Sequence, residues 1–129
     1  MPKTEISHED FRSLFNLRVL LRYDEKYAVH VAHCIETGNV VTADTPEDAQ
    51  EMMKELLEDE IAFALQHRNL RNLFSSPAPL DVVIQWVNAA QEKEPTTVYL
   101  DVNFKELELP EIEPKNADLK NKVWFAAAA

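Results

Sequence analysis

The clearest pattern along the chain is an apolar stripe of helical period between residues 46 and 67. Ala49, Met52, Met53, Leu56, Leu57, Ile61, Ala64 and Leu65 recur on one side. Glu47, Asp48, Glu51, Lys54, Glu55, Glu58 and Asp59 fill the other. The start of this helix is written in its capping residues. Thr45 stands at the N-cap, and Pro46 takes the first helical position, where its missing N–H is no loss. Asp48 follows three residues after the cap, close to a capping box. Acids crowd the first turn, which suits the helix dipole.

Upstream the period changes from 3.6 to 2. Leu17, Val19, Leu21 and Tyr23 share one face of a strand, and Arg18, Leu20 and Arg22 share the other. Asp24-Glu25-Lys26 is a turn of hairpin length. A second strand follows, with Tyr27, Val29 and Val31 on one face and Ala28, His30 and Ala32 on the other. Thr37-Gly38-Asn39 breaks it, and Val40–Ala43 gives a third short strand. Gly38 is the only glycine in the sequence. It sits where the second strand turns into the third, where a residue lacking Cβ takes positive φ.

Downstream, residues 69–81 read as a connector punctuated by Ser75, Ser76, Pro77 and Pro79. Leu80, Val83, Ile84 and Val87 predict a shorter inserted helix at about 79–91. Val98, Leu100, Val102 and Phe104 alternate as a fourth strand. Residues 105–114 are acidic and carry two prolines, reading as an extended arm. The chain closes on an apolar anchor at Trp124 and Phe125, and then on Ala126–Ala129, which carry no pattern. At the other end, Ser7 is a plausible cap for a short helical or extended segment holding Phe11, Leu14 and Phe15.

The expected architecture is α+β. Three antiparallel strands, a long helix, an inserted second helix and a fourth strand form one sheet with helices packed on a face. Residues 1–16 form an N-terminal segment, 17–104 the domain, and 105–129 an acidic C-terminal arm. A length of 129 residues, 46% hydrophobic, suits one globular domain. No apolar run approaches the ~20 residues of a membrane span, and the first residues lack a secretory pattern. The lone Cys34 suits a reducing cytoplasm.

Charge narrows the function classes. With 23 acidic and 13 basic residues the formal net charge is −10. Such a surface repels nucleic-acid phosphates, and the nearest basic cluster, Arg68 and Arg71 with His67, is short. Direct nucleic-acid binding is not expected; basic protein partners, or plain solubility, are.

The hairpin, the run from Cys34 to Ile61 and the following strand resemble the HicB-like antitoxin family. Cys34 and Gly38 match its loop, and Asp44, Thr45, Glu47, Asp48 and Ala49 match its helix entry. Two positions depart from the pattern: Ala43 stands where that family has glycine, and no proline precedes Gly38. The resemblance spans roughly residues 17–67 and, more loosely, 97–104. It implies a bacterial, cytoplasmic module that binds and blocks a small basic ribonuclease toxin of the HicA type. Many such proteins add a C-terminal DNA-binding module. The proline-broken tail here, with no pair of amphipathic helices, is not expected to supply one.

Candidate chemistry is sparse. His30, His33 and Cys34 are too close in sequence to converge on a metal from one strand, because His33 points to the opposite face from the other two. Asp24 and Asp101 are the carboxylates from which a metal nuclease would have to be built, an alternative carried only as a divergent nucleic-acid-processing enzyme. There is no phosphate loop and no hydrolase motif. The expectation is a non-enzyme with no cofactor and no metal. Gly38, Thr45, Pro46 and Asp48 are its structural markers. Trp86, Trp124 and Phe125 are candidate interface residues in a homo-oligomer, a dimer or tetramer. Two readings stay open for each: Trp86 is an interface anchor or the rim of a wider buried stripe, and Trp124 and Phe125 dock on their own domain or seal a dimer. A stand-alone oligomeric scaffold with no toxin partner is the alternative function.

Overall fold

A computed structural model describes residues 16–102 and 121–128. It is an α+β fold with a mixed five-stranded sheet. The strands are β1 (Asn16–Asp24), β2 (Val29–Cys34), β3 (Val40–Ala43), β4 (Thr96–Tyr99) and β5 (Lys122–Ala127). The helices are α1 (Pro46–Gln66), α2 (Leu70–Leu73) and α3 (Leu80–Glu92). The sheet order is β3-β2-β1-β5-β4. β1 and β2 form the expected antiparallel hairpin, with Tyr23 opposite His30 and Val19 opposite Cys34. Asp24 closes its turn, its carboxylate accepting from the Lys26 and Tyr27 N–H groups at 3.0 and 3.3 Å. Ala28 completes that turn at φ 52°.

Three expectations are corrected. The sheet is not purely antiparallel: β5 runs parallel to β1, with Leu17 beside Val123 and Val19 beside Phe125. The C-terminal Lys122–Ala127, which the sequence presented as the end of an arm, is therefore an interior strand between β1 and β4. β4, the expected fourth strand, is only Thr96–Tyr99 and lies at the outer edge, paired with β5. The reason lies in burial on both faces. Val123 and Phe125 are buried among the α1-facing core, while Ala126 is buried on the other side. A strand covered on both faces has no period-2 signature to read.

The helices also occupy both faces of the sheet rather than one. On the first face, Leu17, Val19, Ala32, Cys34, Val123 and Phe125 meet Ala49, Met53, Leu57, Ile61 and Ala64 of α1. Each fully buried leucine or isoleucine there contributes about 1.5–3 kcal/mol of transfer free energy. On the second face, α3 covers Leu20 and Ile35 with Val82, flanked by Val83 and Trp86. Leu20, isolated between two arginines in the sequence, is buried because α3 lies over it. The segments 1–15 and 103–120, which hold the N-terminal segment and most of the expected arm, lie outside the described residues.

α1 begins as expected. Thr45 caps it, its hydroxyl accepting from Asp48 N–H at 3.0 Å, and Pro46 opens the first turn. It ends without glycine. Arg68 takes φ 50°, Arg68 N–H donates to Leu65 O and Asn69 N–H to Ala64 O, the paired bonds of a Schellman cap.

Candidate functional site

The connector between α1 and α3 does more than link them. It folds back on the β2–β3 loop. Ala78 N–H donates to Ile35 O at 2.8 Å, and the Ser76 carbonyl sits directly against the Cα of Gly38. Gly38 itself adopts φ 78°. The loop is held from within as well, since Gly38 N–H donates to Cys34 O at 3.0 Å and Cys34 N–H to Asn39 O at 2.9 Å.

This docking opens a cleft of about 710 Å³ between the loop, the end of α1 and the connector. One wall is α1, which presents Asp59, Glu60, Phe63 and His67. The other wall is amides and hydroxyls from Asn39, Asn69, Asn72, Ser75 and Ser76. Asn39 bridges the two walls by donating to Glu60 Oε2 at 2.5 Å. Phe63 and His67 stack with ring centres 4.0 Å apart and planes 27° from parallel, and Phe63 is 63% exposed. His67 Nδ1 lies 2.8 Å from Phe63 O. A carbonyl only accepts, so Nδ1 carries a proton. The cleft therefore lies at the negative end of a 21-residue helix whose last turn holds no basic residue.

Beside the cleft, the outer face of α1 is acidic. Glu47, Asp48, Glu51, Glu55 and Asp59 are exposed, and Lys54 is the sole basic residue of the helix. Lys54 is already engaged, 2.9 Å from Glu58 and 3.7 Å from Asp101. Its hydrogen bond to Glu58 raises its pKa further. Met52, 45% exposed, and Phe63 add apolar surface to this face.

The sequence-predicted residues divide cleanly. Gly38, Thr45, Pro46 and Asp48 hold the loop and the helix start. Phe125 is 2% exposed and belongs to the α1-facing core. Trp86 is half-buried on the opposite face: its indole N–H donates to Trp124 O at 3.3 Å, and the Arg18 guanidinium lies 5.6 Å from its ring centre. Arg18 in turn pairs with Glu36 at 2.7 Å. Trp86 and Trp124 thus fasten α3 to the sheet within one chain.

The chemical candidates are kept apart. His30 and Cys34 face α1, and His33 faces α3, as their register requires. Among the described residues no group of three His, Cys, Asp or Glu side chains is placed to hold a metal ion. His30 instead packs on Tyr23, ring centres 4.9 Å apart. Burial lowers the His33 pKa, with Arg22 adding to the effect and Asp81 opposing it. Burial pushes the Cys34 thiol up to about 11, and hydrogen bonds from Thr37 oppose the shift without reversing it. Such a thiol is not a nucleophile at neutral pH. Asp24 and Asp101 do not assemble a nuclease centre. Asp24 ends β1, whereas Asp101 follows Tyr99, which pairs with Lys122 beside Asn16 at the other end of β1. Roughly 26 Å of strand separates those ends.

The cleft escaped sequence reasoning because its walls come from three segments far apart in the chain. The one signal was Phe63, an aromatic on the polar side of the helical stripe. No helix among the described residues is long and apolar enough to cross a membrane. Comparison of the chain with protein-family models, curated proteins and solved structures gives no match.

Proposed function

We propose that the chain is a HicB-like, non-enzymatic binding module that receives a basic protein, of the kind a small HicA-type ribonuclease represents, on the outer face of α1. The observation that carries the reading is the run of exposed carboxylates on that face beside exposed Met52 and Phe63. Carboxylates steer a basic partner at long range, and the apolar patches supply the contact that holds it. The three-strand, capped-helix order at residues 16–66 supports the family side of the reading. Co-expression with a small basic ribonuclease encoded beside the chain tests it. The two copurify at low salt and separate as ionic strength rises. Failure to copurify at low salt sinks the reading.

A second reading is favoured by α3. Leu80, Ile84 and Val87 recur at i, i+4 and i+7 and are 72%, 52% and 39% exposed. Such a flank suits a homo-oligomeric scaffold with no toxin partner. Sedimentation velocity decides: self-association abolished by Ile84→Glu supports this reading, and a monomer at high micromolar concentration removes it.

A further inference from the structure

The cleft at the end of α1 combines four features that bear on one ligand chemistry. Asp59 and Glu60 place two carboxylates on one wall. The helix ends there with its negative pole and no basic residue in the last turn. The stacked Phe63–His67 pair offers an aromatic surface, with Phe63 open to solvent. The facing wall adds the polar residues Asn69, Asn72 and Ser75, of which Asn69 already accepts from Asn72 N–H through its Oδ1. Asp59 and Glu60 are the acidic side chains of the cleft and no lysine or arginine is among its lining residues, which favours a cation.

Its size and shape select which cation. A volume of about 710 Å³ far exceeds one hydrated ion, and among the described residues no set of metal ligands converges. A guanidinium is planar, stacks on an aromatic face and directs its N–H donors in one plane toward carboxylate and amide oxygens. An ammonium does the first poorly and the last without planarity. We propose that this cleft is an anchor pocket for an arginine side chain presented by an extended basic segment of a partner protein. The inference rests on the acidic-face reading above and adds to it the residue that is recognised.

The arginine stacks on Phe63, with its guanidinium donating to Glu60 and Asp59. Asn39 already donates to Glu60 and holds that carboxylate in place for the incoming group. The remaining volume accommodates the neighbouring backbone of the segment, whose N–H and C=O groups meet the Asn and Ser wall.

The test is a nuclear magnetic resonance titration of the full chain with two blocked tripeptides, Gly-Arg-Gly and its citrulline counterpart, and with a neutral disaccharide. The arginine peptide is expected to shift the amides of Phe63, His67, Asn72 and Ser76. The citrulline peptide, the same shape without the charge, binds at least tenfold more weakly. Phe63→Ala and the Asp59→Asn/Glu60→Gln pair each weaken the arginine peptide at least tenfold while the spectrum keeps its dispersion. Equal binding of the citrulline peptide, no shifts at the cleft, or stronger binding of the disaccharide at the same amides overturns the assignment. The two proposals fail separately. A basic protein that shifts Glu51 and Glu55 but not the cleft sinks the arginine pocket and leaves the wider reading standing. Arginine-specific shifts in the cleft with no basic protein bound do the reverse.

Discussion

Gly38 and Ser76 lie in direct contact, with the Ser76 carbonyl oxygen occupying the space where a Cβ on residue 38 would stand. Gly38 also sits at φ 78°, a left-handed conformation that side chains rarely adopt. Two independent constraints therefore fall on the single glycine of the chain. One sets the turn from β2 to β3, and the other docks the connector that forms the second wall of the cleft. Gly38→Val is expected to destabilise the fold by about 3 kcal/mol, combining backbone strain with a steric clash. Gly38→Ala keeps both penalties in milder form. Denaturant unfolding measures the loss, and a midpoint unchanged by Gly38→Val contradicts this account of the loop.

Ala28 offers the opposite change. It is exposed and held at φ 52° in the β1–β2 turn. Ala28→Gly relieves left-handed strain of roughly 1–2 kcal/mol and loses up to about 1 kcal/mol to unfolded-chain entropy. The net expectation is a stabilisation of several tenths of a kcal/mol, seen as a small rise in Tm.

Cys34 is buried, with its thiol pKa raised to about 11. The native state therefore keeps a proton that the unfolded chain releases near its ordinary value of about 8.5. Between those two values the native state binds more protons, so stability falls as pH rises. About 2 kcal/mol is expected to be lost between pH 8.5 and 11 through this group. Cys34→Ala removes that slope from urea unfolding measured across the interval. The same substitution leaves partner binding unchanged, and the native thiol resists alkylation at neutral pH.

Trp86 ties α3 to the sheet through its packing and its bond to Trp124 O. Trp86→Phe keeps most of the packing and forfeits the hydrogen bond, an expected loss of about 1 kcal/mol. Trp86→Ala also opens a cavity and costs about 3–5 kcal/mol. Thermal unfolding followed by circular dichroism separates the two. Equal Tm values for both variants contradict the anchoring role.

The parts of this molecule that could be read from the sequence are those governed by neighbours in the chain. Thr45, Pro46 and Asp48 act within one helical turn, and the stripe from Ala49 to Leu65 needs only a 3.6-residue period. The β1–β2 register follows from alternation and a turn at Asp24. What escaped depends on distant partners. Val123–Ala126 forms an interior strand buried on both faces, which erases the alternation that marks a half-buried strand. Leu20 reads as an anomaly between Arg18 and Arg22 until α3 is placed above it. The short α2 and the cleft arise from the connector folding onto Gly38, and in the sequence only that glycine and Phe63, off the apolar stripe, pointed toward them.

The outer face of α1, proposed above to receive a basic protein, carries charges that can be reversed without touching the core. Glu51 and Glu55 are exposed, and neither forms an ion pair among the described residues. The measurement is calorimetric titration of the Glu51→Lys/Glu55→Lys variant with a small basic ribonuclease, against the unaltered protein at the same low salt. The account predicts at least a tenfold loss of affinity, about 1.4 kcal/mol, with Tm held within about 3 °C. Affinity that survives the charge reversal, in a variant that stays folded, contradicts it.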